Sequence, residues 1–347
     1  MRIEHGGDIY RNNIQHDFSV NINPLGMTEK CRQEAMRGIE QSSHYPDVNA
    51  TKLREAIANK YFVNADAILV GNGAAELIYA LCHALKPKQA RALAPTFQEY
   101  EAAVRMSGGK MIYTLLREEK DWLVDDTFAD CISEKDDLVF VCNPNNPTGK
   151  RVDKEVLARL VEKCKQVNAY LVIDECFLPF IKQEDEYSYF KASCQKHVIV
   201  LRAFTKIYAM AGLRLGYMLV GDEDLREKTV AQMQPWNTSV SAQLAGVAAL
   251  DEDDFVDATI DLISRERKNL TNGLQPYVHK VYESDANFLL VKAGEDFADR
   301  LLEKGVLIRS CKGFAGLDGT FFRIAVRTYG ENEQLLQILS RIYKKDI

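Results

Sequence analysis

The sequence predicts an α/β fold: a large domain with a mostly parallel seven-stranded sheet between helices, and a smaller α+β domain after it. Three observations predict this fold. Between residues 50 and about 220, short apolar runs alternate with helical patterns. The runs are rich in β-branched residues and nearly free of polar ones, which is typical of strands buried on both faces. After about residue 222, three long helical stretches precede the next short strands.

The elements follow in chain order, each from its own pattern. The apolar runs predict strands over 67–70, 90–94, 111–116, 137–142, 170–174, 198–203 and 216–220. Helices are predicted within "GNGAAELIYALCHAL", over 95–106 and 153–166, and later over 222–234, 239–251 and 255–274. The strands "NFLLVKA", "VLIRS" and "FFRIAV" and a helix ending near residue 345 complete the chain. We predict an N-terminal arm with part of the small domain (1–45), a large domain (46–235) and a small C-terminal domain (236–347).

The bulk composition excludes several classes of protein. The net charge of −6 argues against nucleic acid as the main partner, because binding to a phosphate backbone requires a basic surface. There is no apolar run of 18 residues and no apolar core of a signal peptide, so we expect a cytoplasmic protein with no membrane partner. The eight cysteines include no C-x-x-C pair, so we expect reduced thiols and neither a disulfide framework nor a metal site.

Three polar residues follow three of the predicted strands. Asn146 lies in the turn "CNPNNPTGK", Asp174 comes 28 residues later, and Lys206 comes 32 residues after Asp174. Because ligands of α/β proteins bind at the carboxyl ends of parallel strands, we expect these side chains to converge there. A plain surface turn, a helix N-cap and a structural ion pair between Asp174 and Lys206 are the alternatives.

A lysine and an aspartate at such a site indicate a cofactor. Desolvation lowers the pKa of a buried lysine, and such a lysine forms Schiff bases. The combination points to pyridoxal 5′-phosphate (PLP), whose aldehyde would react with Lys206 and whose ring nitrogen Asp174 would keep protonated. The large domain would then be the PLP-binding one.

The phosphate group of PLP requires an anion-binding site. The strand-to-helix turn "GNGAAE" would direct backbone N–H groups of Gly73, Ala74 and Ala75 at an anion. Thr205 and Arg214 flank Lys206 and would complete this site. Phe97 in "PTFQEY" is predicted to stack on the cofactor ring, and a role in the core explains it equally well.

Together, "GNGAAE", "PTFQEY", "NPNNPTG", "VIDE" and "TKIYAMAGLRLGY" resemble the fold-type I PLP enzymes of aminotransferase class I/II, in the family's order and over nearly the whole chain. The resemblance implies a homodimer with shared active sites, in which Tyr45 reaches the PLP phosphate of the other subunit. It also implies that Asn146 bonds the phenolic oxygen of PLP and that Arg323 binds the α-carboxylate of the substrate.

Two groups of enzymes within this family compete. Histidinol-phosphate aminotransferases are similar throughout, whereas "HGGDIY", "DFSVNINPLG" and "RIAVRTYGENEQLL" resemble the threonine-phosphate decarboxylases of cobalamin biosynthesis more closely. The second resemblance implies that His5, Gly6 and Asn21 help to hold a substrate phosphate; the alternative is a floppy N-terminal arm. Phe177 stands where aminotransferases often have a tyrosine that bonds PLP, which is compatible with decarboxylation and counts mildly against ordinary transamination.

We therefore predict a PLP-dependent carboxy-lyase that converts O-phospho-L-threonine into (R)-1-aminopropan-2-yl phosphate. The alternative is a histidinol-phosphate-type aminotransferase, which transfers an amino group to a 2-oxo acid. The two reactions differ in the bond at the substrate Cα that lies perpendicular to the cofactor ring. The sequence leaves open which bond that is. Phosphoserine is an open alternative to phosphothreonine, because one methyl group is worth only about 1–3 kcal/mol of discrimination. A PLP-binding effector module without activity is disfavoured by the intact lysine, aspartate and arginine.

Overall fold

The computed structural model describes residues 5–11, 13–190 and 195–343. The strands are β1 (His16–Asp17), β2 (Ile68–Gly71), β3 (Gln89–Ala94), β4 (Lys110–Leu115), β5 (Leu138–Cys142), β6 (Tyr170–Asp174), β7 (Val198–Ala203), β8 (Gly216–Val220), β9 (Lys280–Val281), β10 (Phe288–Lys292), β11 (Val306–Leu307), β12 (Arg309–Ser310) and β13 (Phe321–Ala325). The helices are α1 (Glu29–Glu40), α2 (Thr51–Tyr61), α3 (Gly73–Leu85), α4 (Glu99–Met106), α5 (Thr127–Cys131), α6 (Lys154–Gln166), α7 (Phe204–Ile207), α8 (Glu223–Val230), α9 (Val240–Ala249), α10 (Asp253–Leu274), α11 (Phe297–Leu302) and α12 (Tyr329–Tyr343).

A seven-stranded sheet forms the centre of the molecule, in the order β2-β8-β7-β6-β5-β3-β4. β8 runs antiparallel to both of its neighbours, and the remaining pairs are parallel. This confirms the predicted α/β fold with a mostly parallel sheet. In β5 and β7 every residue is buried, because helices cover both faces of the sheet. That double burial is the reason why these strands read as unbroken apolar runs.

The register places the carboxyl ends of three neighbouring strands at the same level. Cys142 of β5 pairs with Asp174 of β6, and Asp174 pairs with Leu201 of β7. Whatever follows these strands therefore emerges at one edge of the sheet.

The C-terminal part of the chain forms a second, four-stranded antiparallel sheet in the order β12-β13-β10-β9. The N-terminal segment joins it: β1 pairs with β11, the amide of Phe18 donates to Leu307 O at 2.8 Å, and the amide of Ala325 donates to Phe18 O at 2.9 Å. The N-terminal segment and the C-terminal sheet thus pack together, as the predicted small domain requires. The domain boundaries themselves remain a prediction.

Three predicted elements differ from the structure. The helix expected over 95–106 begins only at Glu99, because Asn145 holds the preceding segment through Pro95 O at 2.9 Å and Thr96 Oγ1 at 2.8 Å. The helix expected over 222–234 ends at Val230. The run "VLIRS" is two strands, because its first half pairs with β1 and its second half with β13.

Among the described residues, no helix is long and apolar enough to cross a membrane. The seven cysteines of the described ranges are free thiols, and Cys194 lies outside those ranges. No group of three or more potential metal ligands occurs within the same ranges.

Candidate active site

A cavity of about 330 Å³ opens at the carboxyl edge of the large sheet. Asn146, Asp174 and Lys206 all line it, so the three residues that follow β5, β6 and β7 do meet in space. The common level of these strand ends is the cause of the meeting.

Lys206 lies in the single-turn helix α7, directly after β7. Desolvation, together with the nearby charges of Arg323 and Arg214, lowers the pKa of its amine to about 8. Within the described part of the chain, its Nζ forms no hydrogen bond and no ion pair. The amine is therefore available to react with a carbonyl carbon near neutral pH.

The N-terminal segment fixes the backbone of α7 through Asn23. The Asn23 amide donates to Lys206 O at 3.0 Å, and its side-chain Nδ2 donates to Ile207 O and to Thr259 Oγ1, both at 2.7 Å. Asn23 was not among the predicted site residues. The only sequence signal for it is its place in "VNINPLG", two residues after Asn21.

Asp174 is a buried carboxylate with two hydrogen-bond donors. Its Oδ2 accepts from the Tyr100 hydroxyl at 2.6 Å, and its Oδ1 accepts from the Cys176 amide at 3.0 Å. No cationic side chain of the described residues lies within salt-bridge distance of it. A buried carboxylate without an ion pair favours binding of a cationic group from outside the chain.

The start of α3 forms the predicted anion site. α3 begins at Gly73, so Ala74 and Ala75 lie in its first turn, where backbone N–H groups have no partner within the helix. Gly73 has φ +80°, and a Cβ on it would lie 2.5 Å from Arg214 Nη2. Ala74, Ala75, Thr205 and Arg214 line the cavity, and Gly73 lies against the Arg214 guanidinium.

Arg323, on β13, is buried at the side of the cavity. Its Nη1 donates to Asn146 Oδ1 at 2.5 Å and its Nη2 to Ser19 O at 2.8 Å, while its buried Nε has no partner. Burial and the charge of Arg309 lower the pKa of Arg323 to about 10, so it stays cationic at neutral pH. Without an acidic partner among the described residues, it is suited to bind an anion.

The N-terminal segment forms another wall of the cavity, with His5, Gly6, Ser19 and Asn21 in its lining. His5 Nε2 lies 3.0 Å from Glu99 Oε1, and the Gly7 amide donates to Ser19 Oγ at 2.7 Å. Gly6 is packed so closely that a Cβ there would lie 2.4 Å from Ser19 O. Asn21 is buried, and its Oδ1 has no partner.

The predicted aromatic residues occupy different places. Phe97 and Phe177 both line the cavity; Phe97 packs edge-on against Tyr100 at 5.5 Å, and Phe177 edge-on against Phe288 at 5.1 Å. Tyr45 is not part of this cavity. It is 78% exposed and stacks on Trp236 at 4.5 Å, so its predicted contact with PLP of another subunit remains a prediction.

Arg309 is a cavity residue that sequence reasoning missed. It lies on β12 directly opposite Arg323 of β13, and its Nη2 donates to Gln98 Oε1 at 3.2 Å. Its guanidinium lies 5.6 Å from the ring centre of Phe314, which also lines the cavity. A signal was present, because an arginine inside the apolar run "VLIRS" is as unusual as Arg323 inside "FFRIAV".

Comparison with known proteins identifies the family. The family description "Aminotransferase class I and II" matches residues 13–342. This chain belongs to the class I and II aminotransferase family. The resemblance inferred from the motifs is thereby confirmed, as is PLP as the cofactor of an enzyme of this family.

The relatives of this chain include both threonine-phosphate decarboxylases and histidinol-phosphate aminotransferases. It is 35% identical over 330 residues to threonine-phosphate decarboxylase of Salmonella typhimurium, covering 94% of this chain and 90% of the relative. It is 30% identical over 354 residues to histidinol-phosphate aminotransferase of Methanococcus aeolicus, covering 96% and 93%. The crystal structure of histidinol-phosphate aminotransferase from Clostridium acetobutylicum superposes with a TM-score of 0.88 at 28% identity, covering 95% of this chain and 99% of that one.

The residues of the cavity fit PLP. Lys206 has an amine of lowered pKa for the aldehyde, and Asp174, which forms no ion pair among the described residues, can pair with a protonated ring nitrogen. The start of α3, with Arg214 beside it, offers donors and a positive charge for the phosphate. Asn146 uses its Oδ1 for Arg323, which leaves its Nδ2 group as the donor for the phenolic oxygen. When bound, PLP supplies an electron sink for the bond that breaks at the substrate Cα.

Proposed function

We propose that this chain is a PLP-dependent decarboxylase of O-phospho-L-threonine, which forms (R)-1-aminopropan-2-yl phosphate and CO₂. The observation that carries the proposal is the charge of the cavity lining. Among the described lining residues, Lys206, Arg214, Arg309 and Arg323 are basic and Asp174 alone is acidic. The three arginines offer guanidinium groups at separate places in the cavity, which suits a substrate that carries a phosphate as well as a carboxylate beside the cofactor phosphate.

The four basic residues divide into separate tasks. Arg214 lies at the anion site of α3, where the cofactor phosphate is expected. Arg323 is positioned beside Asn146 and presents an unpartnered Nε, which suits a carboxylate. Arg309, on the neighbouring strand, is then the cation for the substrate phosphate.

The N-terminal segment supports the choice of a phosphorylated substrate. His5, Gly6 and Asn21, which the sequence motifs associate with that phosphate, line the same cavity as Lys206. Asn21 Oδ1 is buried without a partner and can accept from a donor of the ligand, whereas only the Nδ2 group of this side chain could donate to a phosphate. The similarity to threonine-phosphate decarboxylase of Salmonella typhimurium, at 35% identity, supports the same conclusion.

Decarboxylation requires one proton for each CO₂ released, because the Cα–carboxylate bond is replaced by a Cα–H bond. Lys206, with a pKa of about 8, is the cavity residue suited to deliver that proton. Arg323 would orient the carboxylate so that its bond to Cα lies perpendicular to the cofactor ring. Phe177 offers no hydroxyl at the ring, as the decarboxylase interpretation expects.

The test uses the purified protein with PLP and O-phospho-L-threonine, and no 2-oxo acid. We expect CO₂ and 1-aminopropan-2-yl phosphate in equal amounts, and neither from the Lys206→Ala variant. Turnover that occurs only with 2-oxoglutarate, and that yields glutamate without CO₂, would refute the proposal. O-phospho-L-serine in a parallel reaction measures how strongly the methyl group is recognised.

An aminotransferase that acts on histidinol phosphate is the second candidate. The 28% identity and TM-score of 0.88 to the Clostridium acetobutylicum enzyme favour it. Formation of glutamate from histidinol phosphate and 2-oxoglutarate, at a rate above that of phosphothreonine decarboxylation, would decide for this candidate.

We also infer a homodimer in which Tyr45 of each subunit reaches the cofactor phosphate of the other. The exposed stack of Tyr45 on Trp236 supports this inference, because a large aromatic pair on the surface is typical of an interface. The division at residues 45 and 235 and the cytoplasmic location are likewise proposals that come from the sequence.

A further inference from the structure

Tyr100 lies behind the cavity, in the first turn of α4, and its hydroxyl reaches the cavity lining through Asp174. Its side chain is 1% exposed and does not itself line the cavity. Its ring stacks on Phe140 at 4.7 Å and 8°, and Phe97 packs against it edge-on at 5.5 Å and 83°. These two contacts hold the ring in one orientation.

In that orientation the Tyr100 hydroxyl donates to Asp174 Oδ2 at 2.6 Å. Burial and the charge of Asp174 raise the pKa of Tyr100 well above its ordinary value, so the phenol stays protonated and remains a donor. The Cys176 amide, at 3.0 Å from Oδ1, is the other donor to this carboxylate. Both bonds therefore hold Asp174, and no cationic side chain of the described part of the chain lies within salt-bridge distance of it.

The bond from the Tyr100 hydroxyl fixes the position of Asp174 Oδ2. A bond from a hydroxyl to a carboxylate is charge-assisted and stronger than one between neutral groups. Without the hydroxyl, Asp174 Oδ2 would lose this donor, and the carboxylate would be held less firmly in place for a protonated ring nitrogen.

We propose that Tyr100 is a positioning residue, whose hydroxyl holds the Asp174 carboxylate in the orientation in which it meets the ring nitrogen of bound PLP. This inference rests on the proposed function only in that it requires PLP at this site. It deepens that proposal, because it assigns the control of the ring nitrogen to a residue that touches neither cofactor nor substrate.

The test compares two variants that each lose one hydroxyl–carboxylate bond. Tyr100→Phe keeps the aromatic ring between Phe140 and Phe97. Tyr170→Phe is the matched control, because the Tyr170 hydroxyl donates to Asp222 at 2.8 Å from the opposite end of the same strand as Asp174. Apoprotein of each is titrated with PLP in the absence of any amino acid, and the dissociation constant and the absorption spectrum of the bound cofactor are recorded.

We expect Tyr100→Phe to weaken PLP binding roughly 10- to 100-fold, as the loss of a hydrogen bond to a charged group predicts. The absorption spectrum of the bound cofactor should change, and Tyr170→Phe should match the unaltered protein in both measurements. Unchanged affinity and spectrum in Tyr100→Phe would overturn the inference. If the unaltered protein binds no PLP, the proposed function fails instead.

A double-mutant cycle separates positioning from packing. In the Asp174→Asn background, Tyr100→Phe should have no further effect on the PLP dissociation constant. An equal loss in both backgrounds would show that Tyr100 acts through packing alone and would overturn the inference. If Tyr100→Phe does not fold, Tyr100→His replaces it in the test, because histidine retains an N–H donor. Tyr100→His should bind PLP more tightly than Asp174→Asn, and equal binding by the two variants would contradict the inference.

Discussion

Lys206 shows how its surroundings alter the chemistry of a single residue. Its amine is desolvated at the end of a buried strand, and the charges of Arg323 and Arg214 add to the effect, so its pKa falls from 10.5 to about 8. The lowered pKa that makes the amine reactive also lowers the free energy of unfolding at neutral pH, because the protonated form is disfavoured in the native state.

Replacement of Lys206 by methionine should therefore stabilise the apoprotein at pH 7. The unfolded chain binds a proton up to about pH 10.5 and the native state only up to about pH 8. The penalty is complete below pH 8 and disappears as the pH rises from about 8 to about 10.5. Urea unfolding of both proteins at pH 7 and at pH 10 measures this; an advantage of Lys206→Met that does not shrink at the higher pH would contradict it.

Arg309 and Arg323 lie opposite each other on adjacent strands, yet we expect them to bind different parts of the substrate: Arg309 its phosphate and Arg323 its α-carboxylate. Arg309→Gln should lower kcat/KM for O-phospho-L-threonine by roughly 10- to 100-fold, the effect of a lost charged hydrogen bond, and should change kcat/KM for L-threonine, which lacks the phosphate, far less. Arg323→Gln should impair both, because both compounds have the α-carboxylate. Steady-state kinetics with the two amino acids decides; equal losses with both in Arg309→Gln would remove Arg309 from the phosphate site.

At the scale of elements, the site depends on how strands end and helices begin. β5, β6 and β7 end at one level and are followed at once by a turn or a short helix. The side-chain amide of Asn145 ties the turn after β5 to the segment after β3 through Pro95 and Thr96. α3 starts at Gly73 without an extended loop, which brings its first amides to the same edge.

Gly73→Ala should damage this helix start. The φ of +80° disfavours a side chain by about 1–2 kcal/mol, and the new Cβ would displace the Arg214 guanidinium. We expect a lower free energy of unfolding and weaker binding of PLP. Gly330→Ala is the control, because nothing lies within 4 Å of a Cβ there and its φ is not positive. PLP titration and urea unfolding test both variants; PLP affinity as high as that of the control would argue against a phosphate site at α3.

At the scale of the whole molecule, the cavity lies where three parts of the chain meet. The large sheet contributes Lys206 and Asp174, the four-stranded sheet contributes Arg309 and Arg323, and the N-terminal segment contributes Asn21. Any change in how these parts pack would therefore alter the site. An exposed aromatic pair, away from this cavity, points to a further contribution from a second subunit.

Mixing two variants tests whether the active sites are shared. Tyr45→Ala and Lys206→Ala are each expected to be impaired, the first in retention of PLP and the second in chemistry. In a mixed dimer, one site would combine Lys206 from one subunit with Tyr45 from the other. Random exchange of subunits would restore about a quarter of the sites. Activity after mixing that does not exceed the contribution of Tyr45→Ala alone would exclude shared sites, and sedimentation would show whether a dimer forms.

The sequence by itself determined the α/β fold, the parallel arrangement of the strands and the convergence of Asn146, Asp174 and Lys206. Those features follow from local rules: buried strands are apolar throughout, and parallel strands end at a common edge. The motifs also identified the family and PLP, since each motif is a short, continuous stretch.

Only the tertiary structure decided which distant residues complete the site. Arg309 faces Arg323 because of the register of β12 and β13, Tyr100 reaches Asp174 across 74 residues, and Arg323 bonds Ser19 across 304. The periodicity of a sequence states which face of an element is buried, but not which neighbour meets that face. That choice comes from the packing of whole sheets and helices, which no single stretch of the chain contains.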